Sequence, residues 1–400
     1  MRLYITIAYT LSLLSFSSCG VLSAFKIQKA KQNEHMGKSQ YYQELPFKIV
    51  NGLIVIPVNI SGTEKNFIFD TGAHTILDQN LLSQISYQKL GKTKTFDSNG
   101  QRRFLQTIQI DQLHIGQIPF YDVVATTTDL QLLSKLSCID ISGIIGINIM
   151  NKGIWQIDYS KSAIIFTDQP NLLPSSSEAD TIPFQSDIQG YPTLSIHMDS
   201  SFIDQGLLDT GFNGSIVLSQ QHQPDHIPFV TQFNYAYALH GQTAAEQKII
   251  SYPIQLNGIT IDSNIINFSD QNTKVLIGNR FLRDYRTTLN WENHFIVLDK
   301  IKDDSVSLSN YGFYPTSKQD KIVIGSIYDS SELFKKGVRL GDQILKFNGI
   351  NLQQNGATKL CDVLEELKNK HVKISLTVLH ANQVLEFELS KLDHLQALKP

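Results

Sequence analysis

The chain has 400 residues, of which 42% are hydrophobic and 18% charged, with a formal net charge of -3. This composition suits an exported globular protein with room for two or three hydrophobic cores. The near-neutral balance and the lack of a basic stripe argue against nucleic acid as a partner. No zinc motif is present: His222 and His226 stand at helical spacing, but Pro224 between them breaks a helix, so they read as two loop histidines.

In chain order, Arg2 precedes an uncharged, mostly apolar run from Leu3 to Phe16. The run is too short for a comfortable membrane span and right for the core of a secretory signal. It ends in Phe16-Ser17-Ser18-Cys19, which resembles the lipobox of bacterial lipoproteins with Phe in place of the usual leading Leu. The resemblance implies a lipoprotein-type signal over residues 1–19, with Cys19 as the lipid-bearing first residue of the mature protein. It also implies a protein exported to the bacterial cell envelope, facing the periplasm and held to the membrane by that lipid. Ordinary signal cleavage nearby is the alternative. Residues 20–44 are polar, rich in Gln and Lys and without apolar periodicity, and read as a flexible tether. The other cysteines, Cys138 and Cys361, fall in different predicted domains and read as buried free thiols.

Residues 45–169 begin with Leu45-Pro46-Phe47; alternation from Leu53 and a Gly62-Thr63 turn predict a hairpin that delivers Phe69 to the next landmark. That landmark is Asp70-Thr71-Gly72, an acid in a turn at the end of a buried strand. An Asp97-Ser98-Asn99-Gly100 stretch predicts a further hairpin turn. Ile144-Ile145-Gly146 reads as a strand threading past the aspartate loop, its glycine allowing close backbone approach. The segment WQIDYSKSAIIF from Trp155 reads as strand, tight turn, strand. Residues 170–180, PNLLPSSSEAD, carry the punctuation of a linker. Residues 181–300 then repeat the landmarks in order. They are Ile182-Pro183-Phe184, Leu207-Leu208 before Asp209-Thr210-Gly211, Leu276-Ile277-Gly278, and TTLNWENHFIVL from Thr287. Four paired landmarks in one order amount to a duplication.

On these motifs both halves resemble the retropepsin and pepsin clan of aspartic proteases, closest to its bacterial single-chain, two-lobed members. The resemblance implies a mainly β fold, a duplicated double-lobed β-barrel, with Asp70 and Asp209 facing each other as the catalytic pair. Like charges that close share a proton, so one acid activates a water and the other protonates the scissile carbonyl, with no metal or cofactor. It also implies that Thr71 and Thr210 lock the two loops across the lobes, and that Gly72 and Gly211 bring backbone N–H groups to the carboxylates. Flaps are implied around Asn99 and Gly100 and around His240 and Gly241, an ordinary surface hairpin being the alternative for each. Ala73 fits the family pattern after the glycine; Phe212 departs from it and is given no role. One chain holds both halves, so a monomer suffices.

After Asp299 the texture changes. Tyr311-Gly312-Phe313, a strand after Gly341-Asp342, an Asn348-Gly349 turn, a helical stripe of Leu360, Val363, Leu364 and Leu367 and two final strands resemble a PDZ domain, a small α+β fold, over residues 305–395. The resemblance implies capture of an extended peptide at a sheet edge, with Gly312 and Phe313 in the carboxylate-binding loop. The family's preceding Gly-Leu pair is Asn310-Tyr311 here. Together these readings predict an aspartic endopeptidase acting on peptide or protein substrates, its terminal domain recruiting or gating them. A peptide-binding lipoprotein without activity, and a processing protease with one partner substrate, are the alternatives.

Overall fold

The computed structural model describes residues 22–96, 100–199, 201–238, 241–270, 274–302, 306–353, 356–368 and 373–396, and the fold is mainly β. The predicted signal segment and Cys19 lie outside the described residues. Among the described residues no helix is long and apolar enough to cross a membrane.

The two halves meet in a six-stranded antiparallel sheet. Its order is Asp180–Pro183, Phe295–Lys300, Tyr285–Asn290, Ile154–Asp158, Ala163–Thr167 and Tyr42–Pro46, three strands from each half. The two strand–turn–strand segments read from the sequence form its four central strands, with Trp155 opposite Leu289 across the junction. The paired Leu-Pro-Phe and Ile-Pro-Phe openings lead from its edge strands. Burial explains its composition: Trp155 is fully buried and stacks on Phe166 at 4.0 Å between ring centroids. The linker is not loose, since Ser176 donates to Asp299, which also takes Arg286, fastening the connector to this sheet.

Each half adds its own sheet built from long hairpins. In the first, Leu53–Ile60 pairs with Thr63–Phe69 through a turn with Ser61 and Gly62 at positive φ. Tyr87–Phe96 pairs with Arg102–Ile115, which continues into Ile118–Thr128. In the second, Pro192–Met198 pairs with Ser201–Leu208, and Val230–Ala238, Gly241–Leu256 and Ile259–Ser269 form a three-stranded meander. One continuous core of side chains from both halves runs under these sheets.

Three expectations change. Residues 22–44, expected as a flexible tether, instead form a helix over 22–33 and two strands, His35–Met36 and Tyr42–Pro46. Ile27 and Ala30 of the helix pack on Leu90 and Val124, and buried Glu34 accepts from the Val124 N–H and from Asn148 Nδ2. Two apolar residues three apart are too short a pattern to signal a helix in a polar stretch; the first half supplies the partner surface. Second, Cys138 and Cys361 are joined in a disulfide across a separation of 223 residues and are not free thiols. Third, the terminal segment is not a separate body. Its strand Lys321–Tyr328 pairs with Val230–Ala238, matching Gln232 to Tyr328 and Asn234 to Ser326, so one sheet of 14 strands runs from the second half into it.

The terminal segment itself has strands Phe313–Lys318, Lys321–Tyr328, Gln343–Phe347 and Lys373–His380, the last extended by Gln383–Ser390, with helix Gly356–Lys368 packed against Phe313–Lys318. The predicted stripe faces inward: Leu360 and Val363 are buried, and Leu364 and Leu367 pack on the same core. Contact with the second half is aromatic. Phe233 stacks on Phe334 at 5.3 Å, Tyr237 shares a hydrogen bond with Thr316, and Lys318 Nζ donates to the Tyr235 hydroxyl.

Candidate active site

Asp70 follows the strand Thr63–Phe69, and its N–H donates to Ile145 O at 3.0 Å; Asp209 follows Ser201–Leu208 and donates to Ile277 O at 2.9 Å. The acceptors belong to the parallel strands Gly143–Ile145 and Leu276–Ile277, so each predicted apolar-apolar-glycine signature is the strand that fixes its aspartate. Glycine is needed beyond them for closeness. A Cβ on Gly146 would stand 2.3 Å from the Ala73 carbonyl oxygen, and one on Gly278 would stand 2.6 Å from that of Phe212.

The two loops interlock. Thr71 Oγ1 donates to Leu208 O at 2.6 Å and accepts the Thr210 N–H at 3.0 Å. Thr210 Oγ1 donates to Phe69 O at 2.8 Å and accepts the Thr71 N–H at 3.0 Å. Both threonines are fully buried, so every polar atom in the lock is satisfied by the opposite half.

Above this lock the carboxylates lie side by side, within hydrogen-bonding contact of each other. Asp70 Oδ1 accepts the Gly72 N–H at 2.7 Å and Asp209 Oδ1 accepts the Gly211 N–H at 2.8 Å. Each also rests on the opposite glycine: a Cβ on Gly72 would be 2.6 Å from Asp209 Cγ, and one on Gly211 would be 2.3 Å from Asp70 Oδ2. Both residues keep partial exposure. Burial first, then the charge of Asp209, holds the Asp70 carboxyl well above the usual carboxylate range. Burial raises Asp209 too, opposed by its hydrogen bond with Asp70, the Gly211 N–H and the charge of Lys274. Both carboxyls are raised, so the pair holds one proton between them.

Residues 56–149 match an aspartyl protease family model. The match covers the first Asp-Thr-Gly copy and its glycine strand. No curated protein matches. Among solved structures, the crystal structure of Basic 7S globulin from soybean aligns with a TM-score of 0.41 at 12% identity, covering 65% of this chain and 95% of that one.

Other predicted positions are placed as follows. The hairpins expected as flaps are present, but Asn99 and His240 lie outside the described residues. Gly100 is exposed at φ +72°, and Gly241 pairs with Ala238 at the end of the strand that docks on the terminal segment. Gly312, at φ +87°, donates its N–H to Asn310 Oδ1 at 2.7 Å, and the Phe313 side chain lies in the core. Phe212 lies across Gly214 and Gly278 and packs on the main core. Among the described residues no His/Cys/Asp/Glu group is arranged to hold a metal. A cavity of about 750 Å³ lies beside the terminal segment, lined by Arg280, Arg283, Asp284 and Tyr285 among others; neither aspartate lines it.

Four residues near the pair had no motif to announce them. Asn279 Nδ2 donates to Thr210 O and its Oδ1 accepts from the buried Tyr159 hydroxyl, bracing the second loop. Asn148 Oδ1 accepts the Thr75 N–H, bracing the first. His74 stands next to Tyr191, their ring centroids 5.7 Å apart; burial, then the charge of Lys31, pushes the imidazole down to about 4, leaving it neutral near pH 7. The position just after each loop glycine strand, Ile147-Asn148 and Asn279, was the available signal: a polar side chain buried where the motif requires closeness.

Proposed function

We propose that the chain is an aspartic endopeptidase in which the ionised member of the Asp70–Asp209 pair takes a proton from a water held between the two carboxyls while the protonated member gives its proton to the scissile carbonyl oxygen. The observation that carries this reading is the pair itself: two carboxylates in contact, each backed by the opposite loop's glycine and fixed by a closed threonine lock. A fold that only bound peptides would have no use for two acids forced to share a proton at the junction of its halves. After attack the diol-like intermediate keeps one hydrogen bond to each acid; as the C–N bond breaks, the acid that took the water's proton delivers it to the leaving amine, and a diol hydroxyl returns its proton to the other carboxylate. No acyl-enzyme forms.

The substrate reading is a peptide or unfolded protein segment laid across the cleft between the halves. Export to an oxidising compartment is supported by the Cys138–Cys361 disulfide. Anchoring through a lipid on Cys19 rests on the sequence resemblance alone. For the terminal segment gating is favoured over simple recruitment, because it pairs with the very hairpin of the second half that would fold over a substrate. Its Gly-Phe loop has already committed the Gly312 N–H internally, which disfavours capture of a peptide carboxylate there.

The test is digestion of a peptide library between pH 3 and 8 with mass-spectrometric readout. Because both carboxyls are raised, the singly protonated pair persists to higher pH than for ordinary carboxylates, and cleavage should extend toward neutrality before falling as the pair loses its shared proton. No cleavage at any pH by the folded protein would overturn the reading.

A further inference from the structure

The duplication breaks its symmetry beside the catalytic pair. Strand register fixes the equivalences. Val55 pairs with Ile68 and Thr193 with Leu207, each partner lying two residues before an aspartate, so Leu53 of the first half corresponds to Tyr191 of the second. Likewise Ile144 pairs with Ile68 and Leu276 with Leu207, so Ser142 corresponds to Lys274. In the first half these two positions are spent on structure: Leu53 packs on the cluster of Val50, Val55 and Ile68, and buried Ser142 uses its backbone N–H and C=O on Asn66 and Asp78.

In the second half they meet: Lys274 is exposed, and its Nζ stands 5.4 Å above the ring of buried Tyr191. Tyr191 reaches the first half's catalytic loop, its ring against His74, and Gly190 before it lies against Ile147. The residue is buried, yet its hydroxyl has no hydrogen-bond partner among the described residues and is not sealed from solvent. Lys274 makes no ion pair among the described residues. The nearest acid on the same turn, Asp187, is occupied: its Oδ1 accepts the Gln189 and Tyr191 N–H groups at 2.8 and 3.0 Å. Burial and then the charges of Asp70, Asp187 and Asp209 raise the Tyr191 phenol, so it stays a donor, and they place it within the field of the pair.

We propose that Tyr191 and Lys274 form a carboxylate subsite beside the catalytic pair, on the second-half side only, with the phenol and the ammonium each donating a hydrogen bond to a carboxylate of the substrate. A phenol without a hydrogen-bond partner beside an ammonium without an ion pair suits a carboxylate better than a carbonyl, which would leave the ammonium unsatisfied. The carboxylate comes either from a Glu or Asp side chain near the scissile bond or from the C-terminus of a short peptide. The proposal rests on the aspartic protease reading for the identity of its substrate.

The experiment compares peptide sets that differ only at that carboxylate: Glu against Gln near the cut, and free acid against amide at the C-terminus. The wild type should favour one carboxylate form by about tenfold or more in kcat/KM, and the set that responds identifies its source. Lys274→Gln should erase that preference; because the Lys274 charge also bears on Asp209, the readout is the ratio of rates within each peptide pair for one variant, not the rate of that variant against wild type. Tyr191→Phe keeps the ring contacts and should raise KM for the preferred peptide several-fold with kcat little changed. Equal rates within both pairs for the wild type, or a preference that survives Lys274→Gln, would overturn the subsite. Titrating the same pairs by fluorescence anisotropy against the Asp70→Asn protein reads the subsite without turnover. A wild type that cleaves nothing would then contradict the hydrolytic reading, while the carboxylate preference stands or falls on the binding data.

Discussion

At the scale of single residues, the threonine lock and Glu34 make opposite kinds of contribution. Thr71→Val keeps the shape of the side chain but leaves the Thr210 N–H and the Leu208 carbonyl without partners in a dry interface. A cost of about 2–4 kcal/mol follows from two lost buried hydrogen bonds, read as a fall in midpoint on chemical denaturation, and Thr210→Val should match it by symmetry. Glu34 is buried, and that burial raises its carboxyl from 4.5 to about 7 against the opposing hydrogen bonds from Asn148 and Val124. A carboxyl raised in the folded state stabilises the fold fully below its unfolded value and loses that contribution as pH rises through about 7. Wild-type stability should therefore decline by a few kcal/mol between pH 4.5 and 7.5 from this group, the order expected from the printed shift. Glu34→Gln retains an acceptor for the Val124 and Asn148 donors and carries no charge. Thermal scans should show it indistinguishable from wild type at pH 3.5 and more stable at pH 8; an equal melting temperature at pH 8 would contradict a buried, raised carboxyl.

At the scale of elements, both outer hairpins are braced from outside the duplicated core. The N-terminal helix over 22–33 lies against Leu90 and Gly91 of the first half's hairpin, where Ser23 occupies the space a Gly91 side chain would need. The terminal segment pairs along Val230–Ala238 of the second. The disulfide adds a second tie, from the end of helix Gln131–Ser137 to helix Gly356–Lys368. Cys138→Ser with Cys361→Ser should lower stability by about 2–4 kcal/mol in oxidising buffer and leave it unchanged relative to wild type in reductant. Loss of the Phe233–Phe334 stack and the strand pairing leaves an apolar edge on the hairpin beside the cleft. Much of the element content was legible beforehand: strand alternation from Leu53, the paired Trp155 and Thr287 segments and the Leu360 stripe all have the period their structures require. The N-terminal helix and the disulfide were not, because the helix depends on a surface around Leu90 and Val124 and the disulfide on a cysteine 223 residues away.

At the scale of the whole molecule, duplication explains why the paired aspartate loops were readable and their surroundings were not. The Asp-Thr-Gly loops and glycine strands recur because two-fold contact demands the same residue on both sides, so repetition reveals them. Tyr191, Lys274 and His74 occur once, and their meeting follows from how two unlike surfaces face each other; no pattern in the chain marks it. The central claim is that one proton shared by Asp70 and Asp209 drives hydrolysis. The most direct measurement is single-turnover peptide cleavage in ¹⁸O-labelled water by wild type, Asp70→Asn and Asp209→Asn. The account predicts label from solvent in the new carboxyl group for wild type, and a rate at least about a hundredfold lower in both folded variants. Full activity in either variant would contradict it.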